Sequence, residues 1–264
     1  MYILMTEQNP VLVSTENNVK TITLNNPQRK NALTKQMVLQ IHEAIQASET
    51  DGTRVIILTG AGKDFCSGAD LVAGGAELMA GVEQYLKECV NPLILSIYQT
   101  DIPVIAKIRG VCVGLGFNLA LACDMLFAAE DARFSEIFTN IALSSDGGGA
   151  FFLPRRIGYY KAFELMSLAS IFTAEDAHHL RLLNKVCTDE TLDKVVKEVS
   201  DKLAEGPWIA IKHTKANLRK GFVGSLEDTL NLEAENQGKN FKTEDFAEGV
   251  QAFLQKRKPE YKGK

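Results

Sequence analysis

Pro103-Val-Ile-Ala-Lys-Ile108 runs into Arg109-Gly-Val-Cys-Val-Gly-Leu-Gly116, and behind it Phe117 to Cys123 has the composition of a helix. A short, continuous apolar run rich in β-branched residues reads as a strand buried on both faces, as in sheets covered by helices. Glycines at its exit permit backbone angles and close approaches that other residues resist. Val55-Ile-Ile-Leu-Thr59, followed by Phe65-Cys-Ser-Gly-Ala-Asp-Leu71, repeats the arrangement. Continuous apolar strands alternating with helices predict an α/β fold, and the sharp glycine turns at two strand exits let backbone N–H groups point into a cleft instead of a ladder. For either turn alone, tight packing is the plainer explanation; the two together suggest a paired donor site. At the second turn, the Leu115 and Gly116 amides would lie at a helix N-terminus, where the helix dipole also favours negative charge.

Outward from these strands, Val11 to Ser14 and Val19 to Leu24 read as a hairpin around Thr15-Glu-Asn-Asn18. Thr34 is placed to cap a helix whose apolar residues Met37, Val38, Ile41, Ala44 and Ile45 recur at helical spacing, with Asp51-Gly52 at its end. Val82 to Tyr98 is amphipathic, Met125 to Ala128 is a third buried strand, and from about Tyr159 the pattern is helical. Thr173-Ala-Glu-Asp176 has the form of a helix start, Glu190 to Glu205 is amphipathic, and a last helix follows Thr243. The 264 residues fit one principal core. The expected division is a core domain over 1–200 and a C-terminal helical region over 201–264.

A net charge of −4 supplies no general field to hold nucleic acid or an anionic membrane, so neither is an expected partner. Five cysteines without CxxC spacing, the lack of an export-type leader and the lack of an 18-residue uncharged stretch fit a cytoplasmic protein. Gly60-Ala-Gly62-Lys63 has no glycine at position 57 and carries Asp64 where a phosphate loop needs Ser or Thr. Gly114-Leu-Gly116 leads to Leu119, not to the third glycine of a dinucleotide fingerprint. There is no GxSxG, and His42, His178, His179 and His213 have no metal-ligand spacing, so no metal site is expected.

With these classes set aside, the chain resembles the crotonase family, the enoyl-CoA hydratase and isomerase superfamily, over nearly its whole length. The resemblance rests on Leu24-Asn-Asn-Pro27 with Asn31-Ala-Leu33, and on Gly60-Ala-Gly62 with Phe65 to Asp70. It extends through Ile108-Arg-Gly110, Gly114-Leu-Gly116, Ala122-Cys-Asp124, and Glu248 to Phe253 with Lys256-Arg257. It implies a crotonase-like spiral of ββα units whose C-terminal helices pack in a homotrimer, or in a hexamer of two trimers. It also implies coenzyme A as part of the substrate, with no separate cofactor. Matched residue by residue, the oxyanion-hole amides fall on Ala69 and Leu115, the second beside Gly114. Arg29 and Ala32 line the coenzyme side, Ser67, Gly68, Asp70 and Leu71 curve around it, and Lys256 meets a phosphate. Leu115 replaces a glycine usual in the family, which only the N–H requires; its side chain would narrow the pocket.

Hydratases of this family resemble one another in two glutamates, at positions that here hold Asn118 and Phe138. Neither transfers a proton at neutral pH. Asp146, in Leu143-Ser-Ser-Asp-Gly-Gly-Gly-Ala150, occupies the place of the single acid of isomerase-type members, and its pattern is similar to isomerases of phenylacetate degradation. The expectation is an isomerase with Asp146 as base, acting on a 3-enoyl-CoA or a related unsaturated or ring-epoxide acyl-CoA. The plainer reading of Asp146 is a cap for the next helix. The alternatives are a hydratase with another acid, an acyl-CoA-binding protein without turnover, and an Asp146 nucleophile in an aromatic pocket of Phe138, Phe151 and Phe152, which those rings could equally fill as core.

Overall fold

The computed structural model describes residues 9–73 and 81–264. Strands β1 (Val11–Glu16) and β2 (Val19–Leu24) pair antiparallel in register Val11↔Leu24. Their turn is tighter than Thr15 to Asn18: only Asn17 and Asn18 take left-handed angles, the two-residue geometry that matches strand twist. β3 (Val55–Gly60), β4 (Val104–Ile108) and β6 (Met125–Ala129) add in parallel, and β9 (Lys185–Cys187) closes the order β1-β2-β3-β4-β6-β9. A smaller sheet, β5-β7-β8, is made of β5 (Val111–Val113), β7 (Arg133–Ser135) and β8 (Phe172–Thr173).

Side chains of the large sheet alternate between two apolar layers. Ile56, Leu58, Ala106 and Leu126 pack with Met37, Val38 and Ile41 of α1 (Lys35–Ser48) and with Leu93 and Ile97 of α2 (Asn91–Gln99). Val55, Ile57, Ile105 and Phe127 turn the other way, onto Leu192 and Val196 of α7 (Asp189–Ala204). Burial on both faces explains the unbroken apolar runs. The helical residues 81–90 that lead into α2 include a π turn at Leu86–Val90. α3 (Leu115–Leu121) follows β5, and α4 (Gly149–Ile157), α5 (Tyr159–Leu168) and α6 (Ala174–His179) follow β7. α8 (Trp208–Val223), α9 (Leu226–Asn240) and α10 (Glu244–Gln255) form the C-terminal layer. Buried Lys215 on α8 pins that layer to the core, with Nζ donating to Asp124 Oδ2 at 2.6 Å and to the Ile102 carbonyl at 2.7 Å.

Thr34, Thr173 and Thr243 cap their helices as expected, Thr173 with a reciprocal bond from Asp176. Two expectations need correction. The chain beyond Tyr159 is not wholly helical, because β8 and β9 complete the two sheets. Gly110 to Gly116 is not one turn either: Gly110 and Gly114, both at positive φ, bracket the separate strand β5, which pairs with β7.

Candidate active site

The first glycine segment bonds alternately to its two sides. Cys66 pairs with β5, its N–H on the Val111 carbonyl at 2.9 Å and its carbonyl accepting from Val113 at 3.0 Å. The Ser67 N–H then turns to the Lys30 carbonyl, and the Gly68 carbonyl and Asp70 N–H both bond Leu33, at 2.8 and 2.9 Å. Those last two bonds form a parallel bridge between Leu33 and Ala69, which leaves the N–H of Ala69 itself directed away from Leu33. Across from it, Leu115 is the first residue of α3, whose N–H has no intrahelical acceptor. Gly68, at φ +96°, brings the two segments together: a Cβ there would sit 3.3 Å from the Val113 carbonyl and 3.6 Å from the Leu115 nitrogen. Gly116 is packed so closely that a Cβ would be 2.7 Å from the Cys66 sulfur. Two main-chain donors without a backbone acceptor among the described residues thus lie on facing turns.

The segment 25–33 forms the flank of the first turn, and Asn31 locks it there. Fully buried and left-handed at φ 55°, Asn31 accepts from the Asn26 N–H at 2.9 Å and donates to the Ala61 and Asp64 carbonyls at 2.9 and 2.7 Å. Asn31→Ala strands all three groups and is expected to cost about 2–4 kcal/mol in urea denaturation; a loss under about 1 kcal/mol would mean that water replaces the amide freely. Arg29 reaches across with Nη2 2.9 Å from Oδ1 of buried Asp70, which also accepts from the Val72 and Ala73 N–H groups. Ser67 Oγ donates to the Arg29 carbonyl at 3.2 Å. Arg29, buried Ala32, Ser67, Gly68, Asp70 and exposed Leu71 are therefore brought to one rim. Lys256 is not among them: it is the exposed, left-handed residue that ends α10, with no described bond to this rim. Residues 74–80, part of the segment Val72 to Gly81 on which the sequence makes cavity shape depend, lie outside the described residues.

On the other rim stands Asp146. It does not cap α4, whose N-cap is Gly148, so the plainer reading of this residue fails. Burial pushes its carboxyl up to about 6, and Oδ1 has no hydrogen-bond partner among the described residues. Its turn rests on the second glycine segment: a Cβ on Gly147 would be 2.5 Å from Leu115 Cδ1. The Leu115 side chain thus supports the Asp146 turn from below, beyond any narrowing of the pocket. Phe138 is buried, with its ring tip 3.9 Å from the Cβ position of Gly114. Phe151 and Phe152 instead pack edge-on against Tyr98, as core.

Asn118, noted in the sequence only for the acid it lacks, is a fully buried hub. Its amide donates to the Asp146 carbonyl at 2.7 Å and to Ser145 Oγ at 3.1 Å. Sequence reading missed Glu136, whose residue is 0% exposed and whose Oε2 accepts from Ser145 Oγ at 3.1 Å. Burial pushes Glu136 up to about 7, the charge of Asp146 adding and the bonds from Ser145 and Asn118 opposing. An acid inside the apolar run Phe134-Ser-Glu-Ile-Phe138 was the available signal.

The model of the family described as enoyl-CoA hydratase/isomerase matches residues 14–264. A protein of Rhodobacter capsulatus named "Probable enoyl-CoA hydratase" is 38% identical over 92% of this chain and 94% of its own. The 1,2-epoxyphenylacetyl-CoA isomerase of Escherichia coli is 34% identical over 96% and 98%. The crystal structure of an enoyl-CoA hydratase from Bacillus anthracis superposes with a TM-score of 0.93 at 32% identity, over 97% of this chain and 100% of that one.

Proposed function

Because the chain belongs to the enoyl-CoA hydratase/isomerase family and has the crotonase fold, we propose that it isomerises an unsaturated acyl-CoA with Asp146 as the single acid–base group. The observation that carries this reading is the partly desolvated carboxyl of Asp146, on a turn packed against Leu115; the resemblance adds that Asn118 and Phe138 fall where hydratases of the family carry their acids. In a 3-enoyl-CoA, the Asp146 carboxylate removes a proton from C2. The electron pair moves onto the thioester oxygen, which accepts from the Ala69 and Leu115 N–H groups. The electrons then return through C4, which takes the proton back from Asp146 and leaves the conjugated 2-enoyl thioester. Preorganised donors are most effective where such charge develops, and no water need be activated.

Arg29, Ala32, Ser67, Gly68, Asp70 and Leu71 would hold the coenzyme, with Lys256 at a phosphate from its own or a neighbouring subunit of a trimer. Glu136 could suggest the second acid of a hydratase. Its complete burial beneath Ser145 and Asn118 removes it from contact with substrate and favours the one-acid mechanism. The test offers 3-enoyl-CoA and crotonyl-CoA in parallel, with products read by NMR. Conversion of the first to its conjugated isomer is expected; rapid hydration of the second, with no isomerisation of the first, would sink the reading.

A further inference from the structure

Glu136 sits immediately after β7, and the contacts around it form a closed network. Ser145 Oγ donates to its Oε2 at 3.1 Å, and Asn118 Nδ2 divides its hydrogens among the Asp146 carbonyl at 2.7 Å, Ser145 Oγ at 3.1 Å and, at 3.5 Å, the same Glu136 oxygen. The network is fitted against Gly149, where a Cβ would lie 2.4 Å from Ser145 Oγ and 2.6 Å from Asn118 Oδ1. With those hydrogens committed, three buried oxygens have no donor among the described residues: Glu136 Oε1, Asn118 Oδ1 and Asp146 Oδ1. Nor do the described ion pairs give either carboxyl a cation. A buried carboxylate without a cation is costly, and a proton both removes the charge and supplies the missing donor.

We propose that Glu136 is a positioning residue that holds a proton in the resting protein and, through Ser145 and Asn118, fixes the turn that presents Asp146, so that two buried carboxyls carry one negative charge between them. This rests on the reading of Asp146 as the base. Burial raises both carboxyls, Asp146 to about 6 and Glu136 to about 7, and the charge of Asp146 raises Glu136 further, as expected of two buried acids that share one charge. The other titratable groups facing the pair are uncharged in this range. They are the Cys112 thiol on β5, pushed up by burial, and the Tyr85 phenol, which burial pushes up to about 12. Between the two ionisations Asp146 is ready to accept a proton and Glu136 still donates. Above them Glu136 loses its donor, the turn holds two charges, and the rate falls.

The experiment combines pH–rate profiles of 3-enoyl-CoA isomerisation for wild type, Glu136→Gln and Glu136→Leu with carboxyl titration of ¹³C-glutamate-labelled protein by NMR. Wild type should give a bell with limbs near the two midpoints. Gln, a permanent donor, should keep kcat within about threefold at the optimum and lose the alkaline limb, while Leu should lose about tenfold or more in kcat with little change in KM. One glutamate carboxyl should titrate near neutrality in wild type, vanish in Glu136→Gln, and titrate at lower pH in Asp146→Asn. The proposal is overturned if no glutamate titrates near neutrality, if Gln keeps the alkaline fall, or if Gln is as inactive as Asp146→Asn. Should 3-enoyl-CoA not be isomerised at all, the functional reading fails separately, and the NMR midpoint with its response to Asp146→Asn still decides whether the charge is shared.

Discussion

Asp146→Asn is expected to lower kcat for 3-enoyl-CoA isomerisation by about 10²–10⁴-fold while KM changes little, because an amide of the same shape cannot take the C2 proton. The variant carries its own control for folding. Burial pushes the Asp146 carboxyl from its ordinary 3.8 up to about 6. Between those values the native state keeps a proton that the unfolded chain has released, so this group's contribution to stability declines as pH rises through the window and stays low above it. The Asn variant escapes the decline. It should match wild type near pH 3–4 and exceed it by about 1–3 kcal/mol near pH 8 in denaturant unfolding. A dead enzyme that is more stable at alkaline pH is the signature of a buried, working carboxylate. A variant with wild-type turnover would remove Asp146 from the chemistry.

That a carboxylate at 146 could be singled out in the sequence, and Glu136 not, follows from how each is buried. Asp146 stands at the place of the single acid in the isomerase-type members the chain resembles, and the three glycines and apolar Phe151-Phe-Leu153 after it are a local pattern that suggests partial desolvation. Glu136 is held by Asn118 of α3 and Ser145 of the Asp146 turn, contacts that only the tertiary fold makes, and its one local sign is an acid placed among Phe134, Ile137 and Phe138. The same division runs through the fold. Val55 to Leu58 and Val104 to Ile108 were legible because burial on both faces leaves continuous apolar runs, and Thr34, Thr173 and Thr243 because a cap is a local bond. β8 and β9, of two and three residues, are too short to show a period of two and exist because partners in sheets already formed accept them. The Arg29–Asp70 pair likewise joins residues that only the Leu33–Ala69 bridge brings together. The glycine turns by themselves pointed to a paired donor site and to the amides at the start of α3, while Ala69 and Leu115 as the two donors came from the family resemblance.

The donor at Leu115 can be deleted without deleting the helix that presents it. Leu115→Pro removes one N–H at the first position of α3, where proline is well accepted because that N–H has no helical partner. Gly114 before it has φ 55° and ψ −131°, outside the α region that a following proline forbids. If the amide supports the enolate oxygen, kcat should fall by about 10²–10³-fold, equivalent to about 2.7–4 kcal/mol of lost transition-state stabilisation. Leu115→Ala separates this from the side chain's other task. It keeps the N–H but withdraws the methyl that fills the space beside Gly147, so it should destabilise the fold by about 2–5 kcal/mol and spare kcat relative to Pro. The ordering is what discriminates. If Ala loses as much turnover as Pro, Leu115 acts by packing the Asp146 turn. If folded Pro enzyme turns over like wild type, the developing charge is held elsewhere, and the facing turns serve only to join the two glycine segments.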